Sequence, residues 1–509
     1  MLWGFRLGKE CRPTMIKAPN IARNAAFWVG TFVTAHVCVW TLYGVLHQSG
    51  PLHPDMIEAW LWGQEYQFGY YKHPPLWAWL AGAWFEIFPR SNWAFYLLSS
   101  LTSGLGLVGV WKLYGVYARP EHRFAGLLLL VTSPCYTLLA LRFNANSILL
   151  LVWPWVAYAF ALAMERPGVR NGLFFGACAA AAMLSKYYSA VLLASCLAAS
   201  FAHPQWRRFY RSPAPYVALA GFLVLMAPHV IWLVNNDFPT LAYAETRTHF
   251  TDESVGFGFV SFMLSVLLFN ALIVLLIYTA RDRGHPKRGD VLDATLARFV
   301  AILALGPYAL SLVVAAAFHV RLSTNFAIPI YFLVPLVLLQ ALRPDPRRLI
   351  RRTILVGAAI YALAMPIALI SPYAMGLLGK ELSIVPAVEI SELAHAAWVD
   401  TTGAPLATVA GSEPYAMVAA FYSGDRTREF TGFNPGFAPW VTPSTLASGG
   451  LLTICLRNDA LCNRRADSYS TGESKTVAIT VRRKAPFASK RSTSFLVHIQ
   501  PPHAPEHLR

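Results

Sequence analysis

His53-Pro54-Asp55-Met56-Ile57-Glu58-Ala59-Trp60-Leu61-Trp62-Gly63-Gln64 and Phe68-Gly69-Tyr70-Tyr71-Lys72-His73-Pro74-Pro75-Leu76-Trp77-Ala78-Trp79-Leu80 fall in one stretch between two apolar runs. Pro54 suits the first turn of a helix. Ile57, Trp60, Leu61 and Gln64 then keep a helical period with an aromatic, apolar face, the pattern of a helix lying in a membrane interface. Asp55 and Glu58 are three apart and project from one side of it, although acids at this place also favour the positive end of the helix dipole. Pro74 and Pro75 fix an extended backbone and push His73 out of the helical region. Lys72 and His73 are therefore expected on a stiff arm between two interfacial helices. A cation pinned beside paired carboxylates suits a site that handles a phosphate and moves a proton; the plainer alternative is a lysine that snorkels to lipid headgroups.

The flanking runs place this stretch in a membrane protein. Of 509 residues, 56% are hydrophobic and 13% charged, where an ordinary soluble domain carries about 25% charge. The aromatic and branched apolar content also excludes a disordered or collagen-like chain. Apolar runs long enough for a hydrocarbon core of about 30 Å lie near 27–47, 93–118, 124–141, 146–164, 215–234, 256–280, 296–318, 325–342 and 353–372. The stretch 172–202 is apolar except at Ser185-Lys186-Tyr187-Tyr188-Ser189, and reads as a hairpin of two short spans with Lys186 at the turn. The expectation is about 11 transmembrane helices.

Charge placement sets the orientation. With the N-terminus inside, the inner segments hold 23 Lys and Arg, whereas the outer loops before residue 373 hold only Lys72, Arg90, Arg142, Lys186, Arg247 and Arg321. Basic residues gather in cytoplasmic loops, so the 42 Lys+Arg against 26 Asp+Glu need no nucleic acid. The arm 1–26 is expected in the cytoplasm and the first outer loop at 48–92. A small-residue cleavage site is lacking after a short apolar core, so the first span is expected to remain as an anchor. After about 373 the pattern changes: apolar runs Leu451–Leu456, Val477–Val481 and Ser494–Ile499 alternate with Gly/Pro-rich breaks, which predicts a small mixed α/β domain over 373–500 on the outer side. A disulfide between Cys455 and Cys462 is permitted there. The tail 501–509 reads as disordered.

Asp-x-x-Glu-Ala on a first outer loop, followed by Gly69-Tyr70-Tyr71-Lys72-His73-Pro74-Pro75-Leu76, resembles the GT-C membrane glycosyltransferases. The likeness is to the bacterial branch related to dolichyl-phosphate-mannose-protein mannosyltransferases and lipid A aminoarabinose transferases. Arg142-Phe143-Asn144-Ala145-Asn146-Ser147 and Met183-Leu184-Ser185-Lys186-Tyr187-Tyr188 look like the same branch, so the resemblance spans residues 50–190. It implies a sugar on a polyprenyl monophosphate, transferred with inversion on the periplasmic face of the bacterial inner membrane to lipid A, an envelope glycan, a lipid or a protein. It also implies that the carboxylate of the first outer loop, here Asp55, is the catalytic group. In the aminoarabinose transferases Glu then Lys precede Pro-Pro, where this chain has Lys72 then His73.

On this reading Asp55 is the general base on the acceptor hydroxyl, and Glu58 positions it or binds donor hydroxyls. The donor phosphate falls to Lys72, His73, Lys186, Arg247 and Arg321, since the leaving phosphate gains charge as the glycosidic bond breaks. Tyr70, Tyr71, Asn144 and Asn146 are candidates for sugar or acceptor contacts, with turn formation an equal alternative for the two asparagines. No metal ligand set stands out; a divalent metal is possible without support in the sequence. The competing class is a transporter or flippase of a lipid-linked sugar, in which charges would line a path through the spans. Here the acids concentrate in one outer loop instead.

Overall fold

The computed structural model describes residues 19–48, 50–246, 252–281, 291–292, 294–377, 386–470, 473–482 and 492–502. Most of the expected cytoplasmic arm, most of the tail and Arg247 lie outside the described residues.

The apolar runs are helical. The first eight helices are α1 (Pro19–His47), α2 (Pro54–Gly63), α3 (Leu76–Ile87), α4 (Asn92–Tyr117), α5 (Pro120–Leu130), α6 (Leu149–Glu165), α7 (Val169–Ser185) and α8 (Ala190–Ala202). Longer helices follow over Ala214–Asn235, Asp252–Thr279, Ala294–Phe318 and Pro346–Leu377. By length and composition, seven described helices can cross a membrane, or eight if the pair Pro120–Leu130 and Pro134–Leu141, bent by 72°, is one span. That is fewer than the eleven expected, because α6, α7 and α8 are short: the 17 residues of α6 rise only about 26 Å. The long helices turn apolar side chains outward, with Val224 and Leu268 each 70% exposed and Leu355 64%. Such a surface requires a lipid solvent rather than water.

The stretch 172–202 does break at Lys186, whose backbone is extended (φ −164°, ψ 134°). Its two arms pack on different partners: α7 lies on α6 and the Ala214–Asn235 helix, and α8 lies on the Ala294–Phe318 helix. Small residues decide the first pairing. A Cβ on Gly172 or Gly176 would sit 2.4 or 2.2 Å from the carbonyl oxygens of Ala214 and Ala218, so only glycine lets the two backbones approach this closely.

Beyond the last long helix, residues 387–500 build a five-stranded sheet ordered β2-β1-β3-β5-β4. Its strands are β1 (Thr408–Gly411), β2 (Arg428–Glu429), β3 (Leu451–Leu456), β4 (Lys475–Arg482) and β5 (Ser492–Gln500). β1 pairs in parallel with β2 and β3, whereas β5 pairs antiparallel with β3 and β4. The three apolar runs noted in this region lie in β3, β4 and β5. Cys455 on β3 is bridged to Cys462 on the Ala460–Ser468 helix.

The sheet domain is docked on the first loop. Gln64 Nε2 donates to the Thr427 carbonyl (3.0 Å), Arg428 pairs with Glu65 (2.9 Å), and Tyr422 bonds both the Leu52 N–H (3.1 Å) and Asn92 Oδ1 (2.6 Å). Tyr71 stacks on Phe437 at 4.2 Å between ring centroids. The loop and the domain together form the wall behind the site described next.

Candidate active site

The helix expected from Pro54 begins there, and its cap is His53: the imidazole Nδ1 accepts from the Asp55 N–H (3.2 Å), while Met56 N–H bonds the His53 carbonyl (2.9 Å). The side chain of Asp55 is thereby left for other work. It is 42% exposed, and its Oδ2 accepts from Asn144 Nδ2 at 3.0 Å. Asn144 Oδ1 accepts from the N–H groups of Asn146 (2.8 Å) and Ser147 (3.0 Å), which closes the turn ahead of α6. Asn146 Oδ1 in turn accepts from Lys186 Nζ. A single hydrogen-bonded chain thus runs from a carboxylate on α2, through a turn, to the ammonium at the α7–α8 break. Phe326 lies under that ammonium, 4.7 Å from Nζ.

A second pair stands one helical turn along. Lys72 Nζ donates to Glu58 Oε1 at 2.6 Å, with Glu58 only 14% exposed, and the ammonium lies 5.1 Å from the Tyr71 ring and 5.7 Å from that of Trp62. Burial opposes the Lys72 charge, yet Glu58 and Tyr71 more than offset it and hold the group above its ordinary value. The stiff arm sits correctly because α2 and α3 cross at glycines. A Cβ on Gly63 would meet the Ala78 carbonyl at 2.2 Å, and one on Gly82 would meet the Gly63 carbonyl at 2.4 Å.

Several expectations change in detail. His73 is a candidate for the phosphate, yet burial and the adjacent Lys186 and Lys72 charges push its imidazole well below the usual range, so it is neutral there and its ring bonds the Lys72 backbone. Tyr70 is buried, and its hydroxyl donates to the Trp62 carbonyl (2.6 Å); with Tyr71, Trp232 and Trp440 it lines a small cavity beside the arm. Asn144 takes the turn role left open above and orients Asp55. Tyr71 keeps one face on Phe437. Arg321 lies 5.8 Å from the Phe257 ring, just ahead of the segment carrying Phe326.

One acid has no counterpart among the residues singled out from the sequence. Glu429 on β2 is buried, accepts from the Thr431 hydroxyl (3.1 Å), and feels Glu413, Glu58 and Lys72. Burial first, then Glu413, pushes its carboxyl up to about 8. The sheet domain therefore supplies a protonated carboxyl behind the Glu58–Lys72 pair. Its only sequence signal was the break between runs, which carries no register. Among the described residues, no three His, Cys, Asp or Glu are grouped to hold a metal.

With this geometry in view, the likenesses to known proteins are specific. The model of the dolichyl-phosphate-mannose-protein mannosyltransferase family matches residues 72–232, the segment that carries Lys72, Asn144 and Lys186. Two lipopolysaccharide core galacturonosyltransferases of Rhizobium johnstonii are similar: RgtA is 25% identical over 240 residues, 44% of this chain and 46% of its own length. RgtB is 26% identical over 318 residues, 59% and 63% respectively. The chain thus spans about half to two-thirds of these relatives. Over 93% of the chain and 98% of the other, the fold matches the crystal structure of apo ArnT from Cupriavidus metallidurans, with a TM-score of 0.60 at 16% identity. ArnT bound to undecaprenyl phosphate matches with a TM-score of 0.59. The fold is of the GT-C glycosyltransferase type, as the resemblance over residues 50–190 implied.

Proposed function

We propose that the chain is an integral-membrane glycosyltransferase that moves a sugar from a polyprenyl phosphate to a lipopolysaccharide-type acceptor, with inversion, on the periplasmic face of the inner membrane. The observation that carries this reading is the chain Asp55–Asn144–Asn146–Lys186, which brings a carboxylate and a lysine from separate elements to one site. Asp55 accepts the proton of the attacking hydroxyl while that oxygen bonds the anomeric carbon. The bond from that carbon to the phosphate oxygen breaks, and the electron pair stays on the leaving phosphate. Protonated Lys186 neutralises the developing charge, and the Lys72–Glu58 pair holds the arm and presents the second cation. Support comes from the ArnT complex with undecaprenyl phosphate for the donor class, and from the names of the Rhizobium relatives for the acceptor. Those names also make a galacturonosyl group the first sugar to try. The basic loops then face the cytoplasm, and the eleven apolar helices cross or enter the bilayer with residues after about 373 outside.

The test is transfer of labelled sugar from synthetic polyprenyl phosphate galacturonate to lipopolysaccharide by the purified chain in detergent. Label reaching the acceptor supports the reading. Movement of intact donor across a vesicle without any transfer would replace it with a transporter.

A further inference from the structure

The arm, the end of the Ala214–Asn235 helix and the sheet domain meet around a cavity of about 180 Å³. Its walls, among the described residues, include Tyr70 and Tyr71 of the arm, Trp232 and Asn236 at the helix end, and Phe437 and Trp440 of the sheet domain. Aromatic rings from three separate elements thus face one space, and no charged residue lines it.

Local contacts hold these walls in place. His229 Nδ1 donates to the Phe68 carbonyl (2.6 Å), which ties the helix to the arm. A Cβ on Gly69 would lie 2.2 Å from the Trp232 ring, so only glycine brings the arm this close to that indole. Tyr71 covers one face of Phe437, yet Phe437 stays 38% exposed. Trp440 meets Tyr70 edge-on, with ring centroids 6.2 Å apart, and like Trp232 it is only half-buried. Asn236 Nδ2 donates to the Trp232 carbonyl (2.8 Å), which leaves the amide oxygen to accept. The open-edged sheet that carries Phe437 and Trp440 cannot lie in hydrocarbon, so this wall belongs to the aqueous side of the interface.

We propose that this cavity holds one pyranose ring of the acceptor glycan, seated against Phe437 and Trp440. The inference rests on the transfer proposed above and gives the acceptor its place beside that site. A pyranose has a face of C–H bonds and an edge of hydroxyls. Aromatic faces are negative and attract the C–H side, while the Asn236 amide and the indole N–H groups suit the hydroxyl edge. Walls without charge select ring shape and not a phosphate, and a wet wall does not suit an isoprenoid or acyl chain. The volume is below that of a drug-sized pocket, which fits a single ring. Tyr71 belongs both to the cavity and to the surroundings of Lys72, whose Nζ is 5.1 Å from its ring, so the anchored ring lies next to the Lys72–Glu58 pair.

The experiment uses the full chain in phosphatidylcholine nanodiscs, whose headgroups carry no sugar. The probe is lipid-free core oligosaccharide released from lipopolysaccharide by mild acid, titrated without donor and followed by saturation-transfer NMR. Wild type should saturate the ring C–H protons, and Phe437→Leu with Trp440→Leu should weaken the apparent affinity at least about fivefold, as loss of two aromatic contacts predicts. If the double variant fails to fold, Phe437→Leu alone, at an exposed position, should show a smaller loss in the same direction. A second arm measures retention of polyprenyl phosphate galacturonate by native mass spectrometry, which the variants should leave unchanged. Loss of donor retention with undiminished oligosaccharide binding would give the cavity to the donor sugar and overturn the acceptor assignment. Equal oligosaccharide affinity in wild type and whichever variant folds, or no saturation at all, overturns the site even if wild type transfers sugar. Oligosaccharide binding that the variants abolish, in a chain that transfers nothing, keeps the saccharide site and overturns the transfer reading instead.

Discussion

Asn144 Nδ2 donates to Asp55 Oδ2 at 3.0 Å, although the two residues lie 89 positions apart. The contact fixes the carboxylate on the side facing the Lys186 break. Because Asn144 Oδ1 is already bonded to two backbone N–H groups, the amide cannot rotate, and its N–H₂ must point at Asp55. Asn144→Ala should leave insertion intact and lower transfer by about 10-fold to 10²-fold, the loss expected for a hydrogen bond to a charged group. Turnover of the purified variant at saturating donor checks this; a wild-type rate would remove Asn144 as a positioning residue.

Some of this site was legible in the sequence for a local reason. A proline starts α2, and a lone lysine cannot sit in the middle of hydrocarbon, so Pro54 and Lys186 announce a helix start and a break. The Asp55–Asn144 contact has no local signal, because it depends on how two distant elements dock. Glu429 was hidden for the same reason, its strand pairing being set by β1. Tyr70 and Tyr71 differ only in which face of the arm each occupies, and the glycine crossing of α2 and α3 decides that.

Lys72 and Glu58 should behave as a unit. Removing Lys72 alone leaves a largely buried carboxylate without its partner, a loss of about 3 to 5 kcal/mol in such settings. Lys72→Met should therefore lower expression, and Lys72→Met with Glu58→Gln should restore it. If Lys72 also meets the donor phosphate, the double variant remains poor in transfer, by about 2 to 4 kcal/mol in the barrier. A double variant as active as wild type would confine Lys72 to holding the arm.

Glu429 gives the sheet domain a pH dependence of known sign. Its carboxyl is pushed up to about 8 in the folded chain against an ordinary 4.5, so the folded state binds the proton more tightly. The stability this contributes is complete below the ordinary value and is lost as pH rises to about 8. Thermal unfolding followed by near-ultraviolet circular dichroism should show a falling midpoint across that window. Glu429→Gln should flatten the fall; an unchanged slope would mean that the carboxyl does not carry it.

The Cys455–Cys462 bridge closes a short loop, its ends seven positions apart in sequence. Loop-closure entropy for that length gives about 2 to 3 kcal/mol. Cys455→Ser with Cys462→Ser should lower the unfolding midpoint of the sheet domain, and dithiothreitol should have the same effect on wild type. Neither treatment should alter the Asp55 geometry directly, so transfer by protein that remains folded should persist.

Asp55 separates catalysis from helix architecture most sharply. The N-cap of α2 is His53, so Asp55 is not needed to start the helix, and its exposed carboxylate has one oxygen on Asn144. Asparagine at 55 keeps the volume and can turn its own oxygen toward Asn144 Nδ2, which preserves the contact. What it cannot do is take a proton from an attacking hydroxyl. General-base assistance is typically a factor of about 10² to 10⁴, so Asp55→Asn should insert, fold and retain donor normally while transfer falls by at least roughly 10². Comparing donor retention by native mass spectrometry with turnover on the same preparation separates binding from chemistry. Wild-type turnover in Asp55→Asn would leave the fold standing and remove Asp55 as the base.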